Sequence, residues 1–208
     1  MTRPSFKAQL TEAIAQLERN DAVLAGVIER VGPCTLTPHT NYFPALADSI
    51  LGQQLSTKVA RIIRDRFAAL GTNGYPTPEE VQVFSDAQLR SIGLSGAKVK
   101  YVRDLAAHVT DGRLDLGHLP ELTNEEIITE VTDVNGIGEW TAHMFLIFCL
   151  VRLDILPTGD LGIRKGIQVL YELKDLPIPL EIEKIAESHG WTGAETVASW
   201  YVWRSLEL

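Results

Sequence analysis

The sequence predicts an all-α protein. Apolar residues recur at three- and four-residue spacing along almost the whole chain, which is typical of amphipathic helices. Sustained alternation of β-branched and polar residues, the pattern of half-buried strands, is nearly absent. Glycine and proline clusters interrupt the helical pattern and mark turns. We therefore expect roughly ten helices joined by short connections.

The first predicted helix covers residues 6–19, with Ser5 as its N-cap. A second, short helix follows at 22–31. Residues 32–40 contain Pro33 and Pro38 and cannot continue a helix, so we predict a connector and a domain crossing there.

A long helix is expected over 42–70, interrupted near Gly52 and closed by Gly71. The later helical segments are bounded by turn residues and glycines in the same way. They are predicted at 78–84, 86–92, 96–111, 124–133, 139–151, 161–171, 180–188 and 194–206.

The composition, with 45% hydrophobic and 22% charged residues, indicates an ordinary globular protein. The longest apolar run, Met144 to Val151, is far shorter than the roughly 20 residues of a membrane span. The N-terminus lacks the apolar core of a signal peptide. We expect a cytoplasmic protein without a membrane partner.

Metal and redox chemistry are not indicated. The two cysteines, Cys34 and Cys149, form no C-x-x-C spacing, so the sequence predicts neither a zinc site nor an iron–sulfur cluster. Cys149 is expected to be a small core hydrophobe.

The formal net charge of −8 argues against a protein that coats nucleic acid through a general positive field. A local DNA-binding surface remains compatible with this charge, because backbone N–H groups at helix N-termini need no basic side chains.

A two-glycine turn, Val134-Asn135-Gly136-Ile137-Gly138, separates two helical patterns. Its glycines permit positive φ angles and close approach of another backbone, and the amides around Gly136 to Trp140 can bind a phosphate. The alternative is an αα-hairpin in which the glycines only make the turn.

A Gly/Pro-rich segment, Leu156 to Lys165, follows the apolar helix after this turn and contains Asp160. Together, and in this order, the two motifs resemble the helix-hairpin-helix superfamily of DNA glycosylases. The resemblance runs from about residue 40 to the C-terminus and is strongest to the alkylation-repair branch, the 3-methyladenine DNA glycosylase II type. The chain is too short for the N-terminal β domain of the better-known bacterial members.

The resemblance implies that Asp160 is catalytic, because breaking an N-glycosidic bond generates a cationic sugar that a carboxylate stabilises. The same carboxylate can orient the attacking water. The alternative role, N-cap of the helix at 161–171, is compatible with catalysis.

Relatives that also cut the DNA backbone carry a lysine just after the hairpin, where this chain has Trp140. An indole cannot form a Schiff base, so the resemblance implies a monofunctional enzyme that leaves an abasic site.

The damaged base must be flipped out of the duplex into a pocket. The resemblance places Trp140 and Trp203 in this pocket, with Met144 as a further lining residue and Phe43 and Tyr42 as weaker candidates. For Trp203, as for its neighbours Trp200 and Tyr201, the alternative is a place in the hydrophobic core.

Gln54, flanked by Gln53 and Leu55, resembles the wedge that fills the gap left by the flipped nucleotide. The alternative is a polar pair in the middle of a helix, facing solvent. The remaining DNA contacts implied by the resemblance come from the turn before residue 96, from the hairpin and from the segment after Asp160. They are Ser95, Lys98, Asn135, Gly136, Ile137, Gly138 and Arg164, with Lys165 as a further candidate.

The implied fold has two helical domains, residues 1–40 with 162–208 and residues 41–161, with a DNA cleft between them. The implied partner is duplex DNA with damaged bases, bound by a monomer that is associated with the nucleoid. No cofactor is required, although the hairpin carbonyls can bind a structural monovalent cation. Glu195 stands where relatives often have arginine, which argues against phosphate contacts near the C-terminus.

Two other functions stay open at this point. A non-catalytic helix-hairpin-helix module would need the hairpin but neither Asp160 nor an aromatic pocket. An all-α interaction protein would use its acidic surface to bind other proteins. Among glycosylase substrates, the sequence does not choose between 3-methyladenine, 7-methylguanine, 1-methyladenine and etheno adducts.

Overall fold

A computed structural model describes residues 4–208, so residues 1–3 of the predicted segment 1–40 lie outside the described residues. Within residues 4–208 the protein contains twelve α-helices, a short 3-10 helix and a π-helix, and no strand. The predicted all-α fold is confirmed.

The helices begin and end close to the predicted bounds. They are α1 (Phe6–Asn20), α2 (Ala22–Val31), α3 (Tyr42–Gly52), α4 (Thr57–Ala68), α5 (Pro78–Val83), α6 (Asp86–Ser91), α7 (Gly96–Thr110), α8 (Asn124–Thr132), α9 (Glu139–Phe145), α10 (Leu161–Leu170), α11 (Pro179–Ser188) and α12 (Glu195–Ser205). The 3-10 helix is Leu119–Glu121 and the π-helix is Leu146–Leu150.

The interruption predicted near Gly52 in the helix over 42–70 is confirmed, because α3 ends at Gly52 and α4 begins at Thr57. Between them the chain turns with Gln54 at a φ of +56° and restarts under the N-cap Ser56. One predicted helix differs from the structure. The helix expected over 139–151 changes from α to π at Leu146 and ends at Leu150, directly before Val151, whose φ is +50°. A left-handed conformation is costly for a β-branched residue, so the end of the π-helix is strained.

The chain folds as two compact units. The terminal unit comprises the described residues up to Pro38 together with Leu146–Leu208, and the middle unit is His39–Phe145. Residues 146–161, which the sequence analysis assigned to the middle domain, therefore belong to the terminal unit because they pack with its helices.

In the terminal unit, α12 packs against α2 and α10, and α1 packs against α2. Its core is apolar apart from a few polar groups, chief among them Asp21, which is fully buried. The Asp21 carboxylate accepts hydrogen bonds from the Val23 and Leu24 amides, the Tyr171 hydroxyl and the Trp191 indole. This carboxylate joins the α1–α2 corner to the segments on either side of α11.

In the middle unit, α7 packs against α3, α5 and α6, and α8 packs against α9. The buried face of α7 is formed by Val99, Val102, Leu105 and Ala106. Helix α7 is thus central to this unit, and its other faces are available to the turns around it. No helix within residues 4–208 is both long enough and apolar enough to cross a membrane.

Candidate active site

Asp160 lies at the N-terminus of α10 and caps it. Its Oδ1 accepts a hydrogen bond of 2.9 Å from the Ile163 amide and one of 2.8 Å from Nε1 of Trp203 on α12. The carboxyl group is half-buried. The structure therefore gives Asp160 the capping role, and it also places a half-buried indole beside the carboxylate.

Gly162 provides the space for this contact. A Cβ at Gly162 would lie 2.9 Å from both Asp160 Oδ1 and Trp203 Cδ1. One turn later, a Cβ at Gly166 would lie 2.5 Å from Val202 Cγ1. Both distances are too short for a carbon atom, so the two glycines let α10 approach α12 closely enough for the indole to reach the carboxylate.

Phe148 is an aromatic neighbour of Trp203 that the sequence analysis missed. It belongs to the π-helix, its ring is stacked on Trp203 with centroids 5.5 Å apart, and it is 42% exposed. Because Phe148 lies inside the run Met144 to Val151, its apolar neighbours concealed that it faces outward. A local π-helix changes which side chains point outward and is frequent at functional sites.

Trp200 and Tyr201 are core residues. Tyr201 is fully buried and donates from its hydroxyl to the Gly32 carbonyl, and Trp200 packs edge-on against it. The core alternative thus holds for these two residues, whereas Trp203 is partly exposed.

In the middle unit, the pocket candidates have different surroundings. Trp140 is 52% exposed, Met144 is half-buried and Phe43 is buried. Phe43 and Tyr42 line a surface hollow of about 600 Å³ whose lining also includes Leu116, Gly117 and Pro120. The Tyr42 ring also packs edge-on against Phe145.

Residues 53–56 form the turn between α3 and α4, which we call the wedge turn. Gln54 and Leu55 are exposed at its tip, whereas Gln53 is half-buried and donates from Nε2 to the Gly136 carbonyl at 2.7 Å. The two glutamines therefore do not form a solvent-facing pair within a helix. Gln54 is placed outward as a wedge requires, and Gln53 ties the turn to the hairpin.

Ser95 and Lys98, both predicted as DNA contacts, make internal contacts. Ser95 caps α7 by accepting a hydrogen bond from the Lys98 amide. The Lys98 ammonium donates to the Leu51 and Gln53 carbonyls at 2.8 Å each, and burial lowers the pKa of Lys98. Lys98 thereby stabilises the C-terminal end of α3.

The two glycines of the hairpin, residues 134–138, have different structural surroundings. Gly136 has a φ of +89°, and a Cβ there would lie 2.4 Å from the Tyr101 ring. Gly138 has no positive φ, and a Cβ there would meet nothing within 4 Å. The fold therefore requires glycine at 136 but not at 138, whose exposed backbone is open to another molecule.

Asn135 and Ile137 of the hairpin are held by contacts within the protein. Asn135 donates from its backbone and side-chain nitrogens to Asp104 Oδ2, and Ile137 is buried. Within residues 4–208, the amides of Gly136 and Gly138 have no hydrogen-bond acceptor. Such amides are suited to a phosphate oxygen.

A monovalent cation would fit the hairpin by donor chemistry. In the part of the chain that the structure describes, the carbonyls of Asn135 and Ile137 accept no hydrogen bond, and carbonyl oxygens are typical ligands of such ions. Within residues 4–208 no group of three or more His, Cys, Asp or Glu side chains could hold a metal ion.

The basic residues after Asp160 are placed differently. Arg164 is half-buried and donates from Nε to the Pro177 carbonyl at 2.9 Å, so it holds α10 to the segment before α11. Lys165 is exposed. Glu195 accepts a hydrogen bond from the Gly193 amide, and burial raises the pKa of its carboxyl.

Helix α4, which follows the wedge turn, carries exposed basic side chains that the sequence analysis did not single out. Lys58, Arg61 and Arg66 are exposed, and Asp65 is the one acidic residue of the helix. These residues give α4 a local positive charge, although the whole chain has a net charge of −8. The signal is present in the composition of this segment, where Lys58, Arg61, Arg64 and Arg66 stand within nine residues.

A comparison with protein-family models matches residues 47–190 to the HhH-GPD superfamily of base excision DNA repair proteins. The chain belongs to this superfamily.

The HhH-GPD match includes the wedge turn, the hairpin and Asp160, whereas Phe43 and Trp203 lie outside it. DNA-3-methyladenine glycosylase 1 of Schizosaccharomyces pombe is 34% identical over 168 residues, which cover 80% of this chain and 73% of the relative.

Two solved structures have the same HhH-GPD fold. The S. pombe 3-methyladenine DNA glycosylase Mag1 in complex with abasic DNA has a TM-score of 0.81 at 31% identity, covering 95% of this chain and 97% of the other. A DNA-3-methyladenine glycosidase from Bacillus halodurans has a TM-score of 0.81 at 35% identity, covering 93% and 88%.

Proposed function

We propose that the protein is a monofunctional DNA glycosylase that removes alkylated bases, mainly methylated purines, from duplex DNA and leaves an abasic site for base excision repair. The observation that carries the proposal is the Asp160 carboxylate, which accepts hydrogen bonds from the Trp203 indole and from the Ile163 amide at the N-terminus of α10. The chain that holds it belongs to the HhH-GPD superfamily. Membership of this superfamily and relatives that are DNA-3-methyladenine glycosylases support the same activity.

In the proposed reaction the bond between C1′ of the sugar and the base nitrogen breaks, and its electron pair leaves with the base. The sugar becomes cationic, and the Asp160 carboxylate stabilises this charge. Water then forms a bond to C1′ and gives up a proton to the carboxylate. An N-alkylated purine that already carries a positive charge leaves as a neutral molecule, so it needs little acid assistance.

The hydrogen bonds to Asp160 support this role because they fix the orientation of the carboxylate before the sugar arrives. Preorganised groups stabilise developing charge without reorganising during the reaction. The donors come from the backbone of α10 and the side chain of α12, and both elements are packed into the same core.

For the base itself we propose aromatic contacts from Trp203 and Phe148, whose stacked pair lies beside Asp160. Aromatic faces attract electron-poor and cationic bases through stacking and cation–π interaction. From the middle unit we propose Trp140, Met144 and Phe43 as further base contacts. This chemistry accepts several lesions, so the proposed class is alkylated purines in general.

For the DNA backbone we propose the hairpin amides of Gly136 and Gly138, and for the gap in the stack we propose Gln54 with Leu55. The exposed residues Lys58 and Arg61 add positive charge on the helix that follows the wedge turn. Carbonyls of Asn135 and Ile137 would hold a monovalent cation, which would supply a further positive charge for a phosphate.

Absence of lyase activity is part of the proposal. A lyase needs an amine that forms a Schiff base with the sugar, and Trp140 occupies the place of that lysine. We also propose that the enzyme acts as a monomer in the cytoplasm, on nucleoid DNA, which sedimentation and fractionation experiments would test.

The direct test incubates the wild-type protein with a methylated duplex and detects released bases by chromatography. The proposal predicts free methylated purines and strands that break only after treatment with alkali. Breakage before alkali would contradict the absence of lyase activity. Protein that binds abasic DNA but never releases a base would identify a non-catalytic module, and protein that binds no DNA at low salt would support an interaction protein instead.

A further inference from the structure

Helix α7 carries polar side chains on one face that contact both the wedge turn and the hairpin. Lys98, Tyr101 and Asp104 lie three residues apart, and such residues line one side of a helix. All of their contacts described below lie within the middle unit.

At the N-terminal end of this face, Lys98 donates to the Leu51 and Gln53 carbonyls. The Gln53 carbonyl directly precedes Gln54, whose φ of +56° is unfavourable for a residue with a side chain, and the Leu51 carbonyl lies two residues before Gln53 at the end of α3. A strained backbone conformation persists only where surrounding contacts hold it. Lys98 is therefore placed to hold the wedge residue in its conformation.

In the middle of the face, the Tyr101 ring lies directly against Gly136 of the hairpin. The same residue, Gly136, accepts the 2.7 Å hydrogen bond from Gln53 of the wedge turn. The wedge turn and the hairpin are thus joined to each other as well as to α7.

At the far end, Asp104 Oδ2 accepts hydrogen bonds from the backbone and side chain of Asn135. One turn later, buried His108 lies with Nε2 3.0 Å from Asp133, the residue before the hairpin, and with Nδ1 2.8 Å from the Asp104 carbonyl. Successive residues of α7 therefore fix successive parts of the two DNA-facing segments.

We propose that Lys98, Tyr101 and Asp104, with Gln53, are positioning residues that fix the wedge turn relative to the hairpin, so that hairpin binding to a phosphate brings Gln54 into the base stack. This inference rests on the proposed function, because it concerns how the same DNA site flips a base. Lys98 then binds the carbonyls of Leu51 in α3 and of Gln53 in the wedge turn, in place of the phosphate contact that the sequence suggested.

The two roles of Lys98 predict different dependences on salt. A lysine that neutralises a phosphate contributes roughly one unit to the slope of log affinity against log salt concentration. A positioning lysine leaves that slope unchanged and acts on insertion of the wedge, which lowers the rate of base release from bound DNA.

The test uses Lys98→Met, which keeps the length of the side chain without its charge, in the full-length protein. The probe is a duplex with a tetrahydrofuran abasic analogue next to 2-aminopurine, whose fluorescence rises when the neighbouring stack is opened. Lys100→Met is the matched control, because it removes the same charge from an exposed position on α7. Gln53→Met removes the other link and decides the case if Lys98→Met does not fold.

We expect Lys98→Met and Gln53→Met each to lose most of the fluorescence rise and to slow base release from saturating methylated duplex at least about tenfold, with an unchanged salt slope. Lys98→Arg, whose guanidinium can still donate to two carbonyls, should restore part of both signals. Adding Gln54→Ala to Lys98→Met should cause no further loss, since both changes act on the same step.

A salt slope lowered by about one in Lys98→Met, with the wild-type fluorescence rise once bound, would overturn the inference and make Lys98 a phosphate contact. Wild-type behaviour of both Lys98→Met and Gln53→Met would also overturn it. The proposed function survives both of these outcomes as long as the wild-type protein releases bases and opens the stack. If the wild-type protein neither releases bases nor opens the stack, the proposed function fails, and this inference fails with it.

Discussion

Nε1 of Trp203 donates a 2.8 Å hydrogen bond to Asp160 Oδ1, the same carboxylate oxygen that caps α10. One oxygen atom is thus fixed by a backbone amide at the start of α10 and by a side chain of α12. The carboxylate cannot rotate without losing both hydrogen bonds, so its direction is set by the packing of the two helices.

Replacing Trp203 by phenylalanine removes the indole donor and keeps an aromatic ring beside Phe148. We expect base release under single-turnover conditions to slow roughly tenfold, the effect of losing about 1.4 kcal/mol of hydrogen-bonding to a charged group. Affinity for abasic duplex should stay within about threefold. Trp200→Phe, a change at a buried tryptophan of the same helix, is the control, and an equal loss of rate in both variants would contradict the assignment.

Gly162→Ala tests whether the close approach of α10 and α12 matters. The new methyl group would lie 2.9 Å from both Asp160 Oδ1 and Trp203 Cδ1, so the indole must move away from the carboxylate. We expect a loss of activity at least as large as that of Trp203→Phe, together with a lower Tm. Gly159→Ala is the control, because a Cβ there would meet nothing within 4 Å. A fully active Gly162→Ala variant would show that the contact is dispensable.

The two hairpin glycines should respond differently to alanine. Gly136→Ala combines an unfavourable positive φ with a collision against Tyr101, and we expect a loss of roughly 2 kcal/mol or more in the free energy of unfolding. Gly138→Ala should leave the free energy of unfolding within about 0.5 kcal/mol and weaken binding to abasic duplex several-fold. Unchanged affinity in Gly138→Ala would indicate that DNA does not approach this residue.

Asp21→Asn tests the buried hydrogen-bond network of the terminal unit. The carboxylate accepts four hydrogen bonds, and an amide would turn its NH2 group towards a donor such as the Trp191 indole. We expect a loss of roughly 3 kcal/mol in the free energy of unfolding, measured by urea denaturation. Glu12→Gln, at an exposed ion pair with Arg19, should change it by less than about 1 kcal/mol. Equal effects would mean that burial of Asp21 is unimportant.

His143 predicts a pH dependence of stability. Burial lowers the pKa of His143 below its usual value of 6.5, and the nearby Glu139 carboxylate opposes this only in part. Because the folded protein binds this proton less well than the unfolded chain, the stabilising contribution is present above about pH 6.5 and is lost as the pH falls below it. The difference in Tm between wild type and His143→Gln should therefore change across this range. A constant difference from pH 7.5 to pH 5 would contradict the burial effect.

Much of the fold follows from local patterns, because caps and helix-ending glycines act within a few residues of the chain. Ser5 caps α1 as expected, and most helix bounds differ from the predicted ones by one or two residues. The break near Gly52 was predicted, but the left-handed conformation of Gln54 in the turn at 53–56 and the π-helix at 146–150 were not. Both depend on residues far away in sequence: Lys98 holds the turn, and the outward position of Phe148 follows from packing against Trp203.

The candidate site likewise has some features that local sequence predicts and others that depend on distant residues. Sequence motifs predict Asp160, the hairpin and the wedge segment as site residues, because each motif is a short contiguous run. They could not separate residues that face outward from those that hold the site together. Gln53 and Arg164, both interpreted as DNA contacts, donate to carbonyls of other segments, and those partners lie 83 and 13 residues away.

The most direct test of the account is base release by Asp160→Asn from a methylated duplex under single-turnover conditions. The Asn carbonyl oxygen can accept the hydrogen bonds from Ile163 and Trp203, so the variant removes the negative charge and keeps the cap. Asp154→Asn, an exposed aspartate of the same connecting segment, is the matched control. We predict a rate lowered by roughly 100-fold or more, with wild-type Tm and affinity for abasic duplex, and a fully active control. A rate of base release in Asp160→Asn equal to that of the wild type would contradict the assignment of Asp160 as the catalytic residue.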